Sequence, residues 1–264
     1  MPADFRRARI LERIQRDGGA SVGELARDYG VSPITVHRDL DRLAQDGLVR
    51  RVRGGARPTA AFPPIETDWA TRLRQATAAK EAIAVRAAAF VEDGSTIFVD
   101  SSTTCLALAR YLGRRPLRAL TLVTNSPAIA LELHAESIHV VVTPGEVDQT
   151  LRMIGGRWAS EFLSGLNVET AFVSGAGITL EHGLTTTRRE LADTLHAAQA
   201  VASRTIALVD SSKFGRSFLL SIARADELDA LVVDDALDAK TLESYAAAGV
   251  NVVVAGTKDT GPTN

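Results

Sequence analysis

Apolar residues recur at helical spacing through the first part of the chain and as short β-branched runs through most of the remainder. Ile10, Leu11 and Ile14 mark one face of a first helix over Phe5–Gln15, which Asp17-Gly-Gly19 ends. Ser21-Val-Gly-Glu24 has the hydroxyl and carboxylate of a capping box, so a second helix starts there and runs to about Tyr29, where Gly30 closes it. In Val31-Ser-Pro-Ile-Thr-Val-His-Arg-Asp-Leu40, Ser32 suits an N-cap and Pro33 the first helical position. Ile34, Val36, Leu40 and Leu43 then give apolar positions for an inward face, while Thr35, His37, Arg38, Asp41 and Arg42 fall outside. Gly47 breaks this third helix, and Leu48-Val-Arg-Arg-Val-Arg53 before Gly54-Gly55 reads as a basic strand entering a turn.

The next segment, 58–72, carries Pro58, Pro63 and Pro64 and is read as a semi-rigid linker. Trp69 to Ala89 turns helical and alanine-rich, ending at Phe90-Val91. Strands are expected at 96–99, 120–123, 138–142, 170–173, 205–209, 230–233 and 251–254, with helices between most of them. Such alternation predicts a mostly parallel sheet with helices on both faces over 73–256, followed by a polar tail, 257–264.

Charge separates the two parts. Residues 1–57 hold 12 Arg against 8 Asp and Glu, whereas the remainder holds 18 Lys and Arg against 24 Asp and Glu. A basic small unit on an acidic body points to an anionic partner for the small unit. Three helices and a basic hairpin in this order predict an α+β winged helix-turn-helix, with double-stranded DNA as partner. The candidate DNA contacts are Ser21, Ser32, Thr35, His37, Arg38 and Arg42 from the helices and Arg50, Arg51 and Arg53 from the wing. An ordinary amphipathic helix, or a winged helix that binds protein, is the competing reading.

In the larger unit the chemistry follows the strands: Asp100-Ser-Ser-Thr-Thr104, Thr124-Asn-Ser126, Thr143-Pro-Gly-Glu146, Ser174-Gly-Ala-Gly177 and Asp210-Ser-Ser-Lys-Phe214. Open α/β sheets bind ligands outside the carboxyl ends of their strands. Hydroxyls and free N–H groups opening a helix suit a phosphate, and Lys213, one of only four lysines beside 26 arginines, can add a point charge. The competing reading of each loop is plain turn chemistry. Gly175-Ala-Gly177 lacks the third glycine of a dinucleotide fingerprint, Leu180 standing there, and no phosphate-binding Gly-Lys-Ser/Thr loop occurs, so no cofactor is expected. His37, His134, His139, His182 and His196 show no metal spacing. Cys105 is alone, which rules out an internal disulfide framework and fits a reducing, cytoplasmic setting. No run of 18 apolar residues suggests a membrane span.

Ser21-Val-Gly-Glu-Leu-Ala26, Thr35-Val-His-Arg-Asp-Leu40, Gly47-Leu48 and Arg53-Gly-Gly-Ala56 resemble the signature of the DeoR family of bacterial transcriptional regulators. So do Lys80-Glu-Ala-Ile83, Asp93-Gly94, Ile97-Phe-Val-Asp100, Thr124-Asn125, Gly155, Gly175-Ala-Gly-Ile178, Gly183-Leu-Thr185 and Asp210-Ser-Ser-Lys-Phe214, so the resemblance covers nearly the whole chain. It implies an effector domain similar in fold to phosphosugar isomerases and used as a sensor for a phosphorylated sugar. Loops and resemblance together give the candidate effector contacts Lys80, Asp100, Ser101, Ser102, Thr103, Thr104, Thr124, Asn125, Gly145, Gly175, Gly177, Asp210 and Lys213. The sequence departs from the family at His37, where arginine is commoner, at Pro144 before Gly145, where paired glycines are usual, and across 191–198. The expectation is a cytoplasmic, homo-oligomeric repressor of sugar or carbon genes, without enzymatic activity. The alternatives are a phosphosugar isomerase carrying a DNA-binding head, with Asp100 or Asp210 as base, and a protein-binding scaffold.

Overall fold

Alternate residues of single strands enter different cores, and that alternation organises the larger part of the molecule. The computed structural model describes residues 3–17, 19–45, 48–58 and 69–256. The expectations for Gly47, for most of the proline-bearing linker and for the 257–264 tail lie outside the described residues. The chain divides into two units, 1–66 and 67–264.

The first unit contains α1 (Ala3–Asp17), β1 (Ala20–Ser21), α2 (Val22–Tyr29), α3 (Pro33–Gln45), β2 (Val49–Val52) and β3 (Gly55–Pro58). Ile10 and Ile14 of α1, Leu25 of α2 and Val36, Leu40 and Leu43 of α3 close one core with Val49 and Ala56. The wing is a hairpin of β2 with β3, and two-residue β1 pairs with the other edge of β3. That third strand is absent from the sequence reading. It needs Gly55, whose added Cβ would stand 2.2 Å from the Ala20 carbonyl oxygen. Ile34 is a correction: it is 67% exposed rather than part of the inward face. Two residues turn a helix by about 200°, so Ile34 faces away from Val36.

The second unit runs α4 (Trp69–Arg74), α5 (Thr77–Ala87), β4 (Thr96–Val99), α6 (Thr103–Leu112), β5 (Leu120–Thr124), α7 (Pro127–Glu132), β6 (Ile138–Val142), β7 (Glu146–Asp148), β8 (Met153–Gly155), α8 (Arg157–Ser164), β9 (Val168–Val173), β10 (Gly177–Thr179), β11 (Gly183–Thr186), α9 (Arg189–Ala200), β12 (Ala202–Leu208), β13 (Leu220–Ala223), β14 (Ala230–Asp234), α10 (Ala239–Ala247) and β15 (Val252–Ala255). Seven strands form one sheet in the order β15-β14-β12-β9-β4-β5-β6, parallel at every pairing. Ile97 and Val99 enter a core with α5 and α6, while Phe98 between them enters the other with α8 and α9. Both faces are therefore covered, as the apolar runs of parallel strands require.

Two antiparallel additions, β7–β8 and β10–β11–β13, were not legible in the sequence, nor was α8. The expected linker to residue 72 is shortened, because α4 starts at Trp69, whose ring is buried in the α5–α6 core. The helix expected over 69–89 is broken between α4 and α5, where Ala76 takes a left-handed conformation, φ 50°. From β4 the order runs to β5 and β6 on one side and to β9, β12, β14 and β15 on the other. The boundary between β4 and β9 is thus a topological switch point, where loops leave in opposite directions and open a crevice.

Candidate functional site

In the first unit, capping geometry sets the angle of α3. Ser21 Oγ accepts from the Glu24 N–H at 3.2 Å and donates to the Glu24 carboxylate at 2.8 Å, and that carboxylate also takes the Ser21 N–H at 2.9 Å. These bonds hold the Glu24 carboxyl below its ordinary range. Gly30, at φ 61°, turns the chain into α3. Ser32 Oγ accepts from the Thr35 N–H at 3.2 Å and lies 2.9 Å from Thr35 Oγ1. The hydroxyls of Ser21, Ser32 and Thr35 are thus engaged in caps. Asp39 is buried and receives Arg6 Nε at 2.6 Å, with Arg7 at 3.6 Å, so it braces α3 against α1.

The exposed face of α3 carries Ile34, His37, Arg38, Asp41 and Arg42. On the wing, Arg50 and Arg53 are exposed as expected. Arg51 is not a free wing cation. Val49 on the same strand is buried, and a two-residue period turns Arg51 to Val49's side. There Arg51 Nη2 donates to His37 Nδ1 at 2.7 Å, and its Nε meets Asp41 at 3.1 Å. Arginine only donates, so Nδ1 accepts and the His37 ring carries its proton on Nε2. Arg57, absent from the sequence candidates, sits opposite Arg50 across the hairpin and is exposed. Two like charges side by side on a strand pair repel, an arrangement suited to a polyanion.

In the second unit, loops after β4, β9 and β12 meet at the switch point. Ser102, Thr103 and Thr104 at the start of α6, Ser174 and Gly175 after β9, and Asp210, Ser212 and Lys213 after β12 line one small cavity. Arg72, Gln75 and Ala76 from the α4–α5 corner cover it, and Lys80 of α5 reaches in from the same side. The cavity holds about 30 Å³, room for a water or two. Ser102 caps α6 by accepting from the Cys105 N–H at 3.0 Å. Lys80 Nζ is buried and donates to the Arg72 and Gln75 carbonyls, the latter at 2.7 Å. Burial brings its pKa down to about 8, opposed by the charge of Asp210 and helped by Lys213 and Arg72. A larger groove of about 550 Å³ between α5 and α6 shares Lys80 and Thr103 and mixes Leu73, Ala107 and Tyr111 with Glu81, Arg110 and Arg114. The loops that follow β4, β9 and β12 converge in the smaller cavity.

Of the sequence candidates, Lys80, Ser102, Thr103, Thr104, Gly175, Asp210 and Lys213 come together there. Arg72, Gln75 and Ala76 join them, unforeseen because their stretch reads as linker and helix, and so do Ser174 and Ser212, which lie in two of the loops marked from the sequence without being singled out. The others lie elsewhere. Both Asp100 oxygens are taken by the backbone N–H groups of Ser102 and Ser174, each at 2.5 Å, so Asp100 staples two loops beneath the cavity, and burial raises its pKa. Ser101 presents its carbonyl to Trp69 Nε1 at 3.3 Å. Thr124 Oγ1 donates to the Val99 carbonyl at 2.6 Å, tying β5 to β4. Gly145 and Gly177 are packing positions: an added Cβ would stand 2.4 Å from the Gly155 and Arg216 carbonyl oxygens respectively. Asn125 is fully buried under the β7–β8 hairpin, where its carbonyl accepts from Ile154 at 2.7 Å. Among the described residues no partner is present for either Asn125 side-chain polar atom or for Thr143 Oγ1.

Among the described residues no three His, Cys, Asp or Glu side chains converge as a metal set, and no helix is long and apolar enough to cross a membrane. A DNA-reading head and a cationic cleft in one chain describe a transcriptional regulator that senses a small molecule. Residues 6–60 match the DeoR-like helix-turn-helix domain and residues 75–235 the DeoR C terminal sensor domain. The HTH-type transcriptional regulator GlpR of Haloferax volcanii is 32% identical over 253 residues, spanning 96% of this chain and 98% of that one. The lactose phosphotransferase system repressor of Lactococcus lactis is 30% identical over 240 residues, 90% of this chain and 93% of that one. Among solved structures, ribose 5-phosphate isomerase from Plasmodium falciparum is similar over 51% of this chain and 52% of its own, at 15% identity and TM-score 0.39. The chain belongs to the DeoR family of transcriptional regulators.

Proposed function

We propose that this regulator is a repressor of genes for a sugar or related carbon source, and that a phosphorylated small molecule in the β4–β9 crevice controls it. The carrying observation is the convergence of Lys80 and Lys213 on the start of α6, with a single carboxylate, Asp210, among them. Cationic amines with free helix N–H groups suit a phosphate. A sugar phosphate exceeds the present cavity, so the α4–α5 corner swings aside on binding, and Lys80 exchanges the Arg72 and Gln75 carbonyls for phosphate oxygens. The lactose phosphotransferase system repressor among the relatives supports a carbon-source role.

A head of this size makes few base contacts, so specific binding calls for a homo-oligomer on a repeated operator. The protein works in the cytoplasm, where its DNA is. It holds its ligand without turning it over: each oxygen of Asp100, one candidate base, takes a backbone N–H, and Oδ1 of Asp210, the other, takes the Ser212 N–H and hydroxyl, which favours holding a ligand over moving its protons. Operator binding titrated with a panel of sugar phosphates at fixed salt tests this reading. The expected result is a change in affinity with one phosphate and no isomerisation of it.

A further inference from the structure

Ile34 sits in the second position of α3, in the middle of the face that carries His37 and Arg38. Residues three and four apart are neighbours on a helix surface, so those two side chains flank it. At 67% exposure it is a large branched apolar side chain held in water beside charged groups, serving no core. Phe5, on α1, is also exposed in this unit. The first turns of a helix in the major groove reach base edges, and the one apolar group there that marks a base is the 5-methyl of thymine. The surroundings commit the face to nucleic acid rather than to protein: Arg38 on α3 and Arg50, Arg53 and Arg57 on the wing are exposed cations.

We infer that Ile34 is a specificity-determining residue that packs on the 5-methyl of a thymine in the operator. His37, held by Arg51 with its proton on Nε2, then stands as donor for a purine acceptor on an adjacent pair, so an apolar contact and a hydrogen bond act side by side. The inference rests on the head reading double-stranded DNA.

The test uses the full chain and a duplex selected by it from a random-sequence pool, at fixed salt. Each thymine is replaced singly by deoxyuridine, which removes the methyl and leaves base pairing intact. With wild-type protein, one thymine position loses about 4-fold in affinity, the factor expected for one buried methyl. Ile34→Ala, whose thermal midpoint stays at the wild-type value because the side chain is exposed, binds the thymine duplex more weakly and no longer distinguishes uracil at that position. A wild-type uracil pattern in Ile34→Ala overturns the assignment, and so does insensitivity of every thymine in the wild type. Failure to enrich any sequence overturns the DNA-reading premise and the assignment together.

Discussion

Lys80 gives the most exacting test of the crevice, because replacing it separates a structural role from a binding one. Its amine falls from 10.5 to about 8, chiefly through burial. That corresponds to about 3 kcal/mol of lost preference for the charged form, and solvent reaching the site trims it to about 2 kcal/mol. At pH 7 the amine is protonated in both folded and unfolded chains, so the whole penalty is present. Between about pH 8 and 10.5 the unfolded chain holds a proton that the folded chain has released, so stability climbs with pH, and above that the penalty is gone. Lys80→Met removes the penalty but leaves the Arg72 and Gln75 carbonyls without their donor, costing about 1–3 kcal/mol. The two effects nearly offset, so the ligand-free variant stays within about 1 kcal/mol of wild type at pH 7 and loses the rise above pH 8. A phosphate, by contrast, loses a charge-assisted hydrogen bond of about 1.5–3 kcal/mol, so its affinity falls about 10- to 150-fold. Trp69 is a built-in reporter: its ring is buried in the α4 segment, with Arg152 stacked 4.7 Å above it. In a Trp158→Phe background its emission follows both urea unfolding at stepped pH and titration with inorganic phosphate and sugar phosphates. A Lys80→Met protein that binds phosphate as tightly as wild type refutes the cleft assignment. One that is destabilised by more than about 3 kcal/mol makes Lys80 a brace.

Further outcomes concern the head. Arg50→Ala and Arg53→Ala each lower the slope of log affinity against log salt by about one, whereas Arg51→Ala leaves that slope and changes base preference beside His37; binding isotherms at several salt concentrations separate the two. Arg38→Ala weakens the selected duplex by about 1–3 kcal/mol relative to random DNA if it reads a guanine, as competition titration measures. Asp39→Ala removes the buried carboxylate that Arg6 and Arg7 meet and destabilises the head by about 1.5–3 kcal/mol, visible in a thermal melt.

Much of this molecule was legible in its residues because the governing forces are local. The seven strands of the main sheet arise from apolar runs such as Ala230–Asp234, every residue of which is buried. The Ser21–Glu24 capping box and the Gly30 turn formed as read. What escaped depends on partners distant in sequence. Gly145 and Gly177 looked like ligand glycines, but their bareness serves the approach of Gly155 and Arg216. Asp100 looked like a ligand carboxylate, yet the β9 loop, 74 residues on, claims one of its oxygens. Arg51 reads as interchangeable with Arg50 until strand alternation sets them on opposite sides. Ile34 was misplaced by counting apolar residues without their angles. The left-handed Ala76 that folds α4 over the crevice carries no glycine to announce it.

Under the proposed function, a phosphorylated ligand in the crevice alters the head's hold on DNA. The deciding measurement is the affinity of the full chain for its selected duplex at fixed salt, with and without each of a set of sugar phosphates and their unphosphorylated sugars. One phosphate is expected to shift that affinity by about 5- to 150-fold, the usual size of such coupling, and its sugar alone to leave it unchanged. Tight DNA binding that no phosphate alters would contradict it.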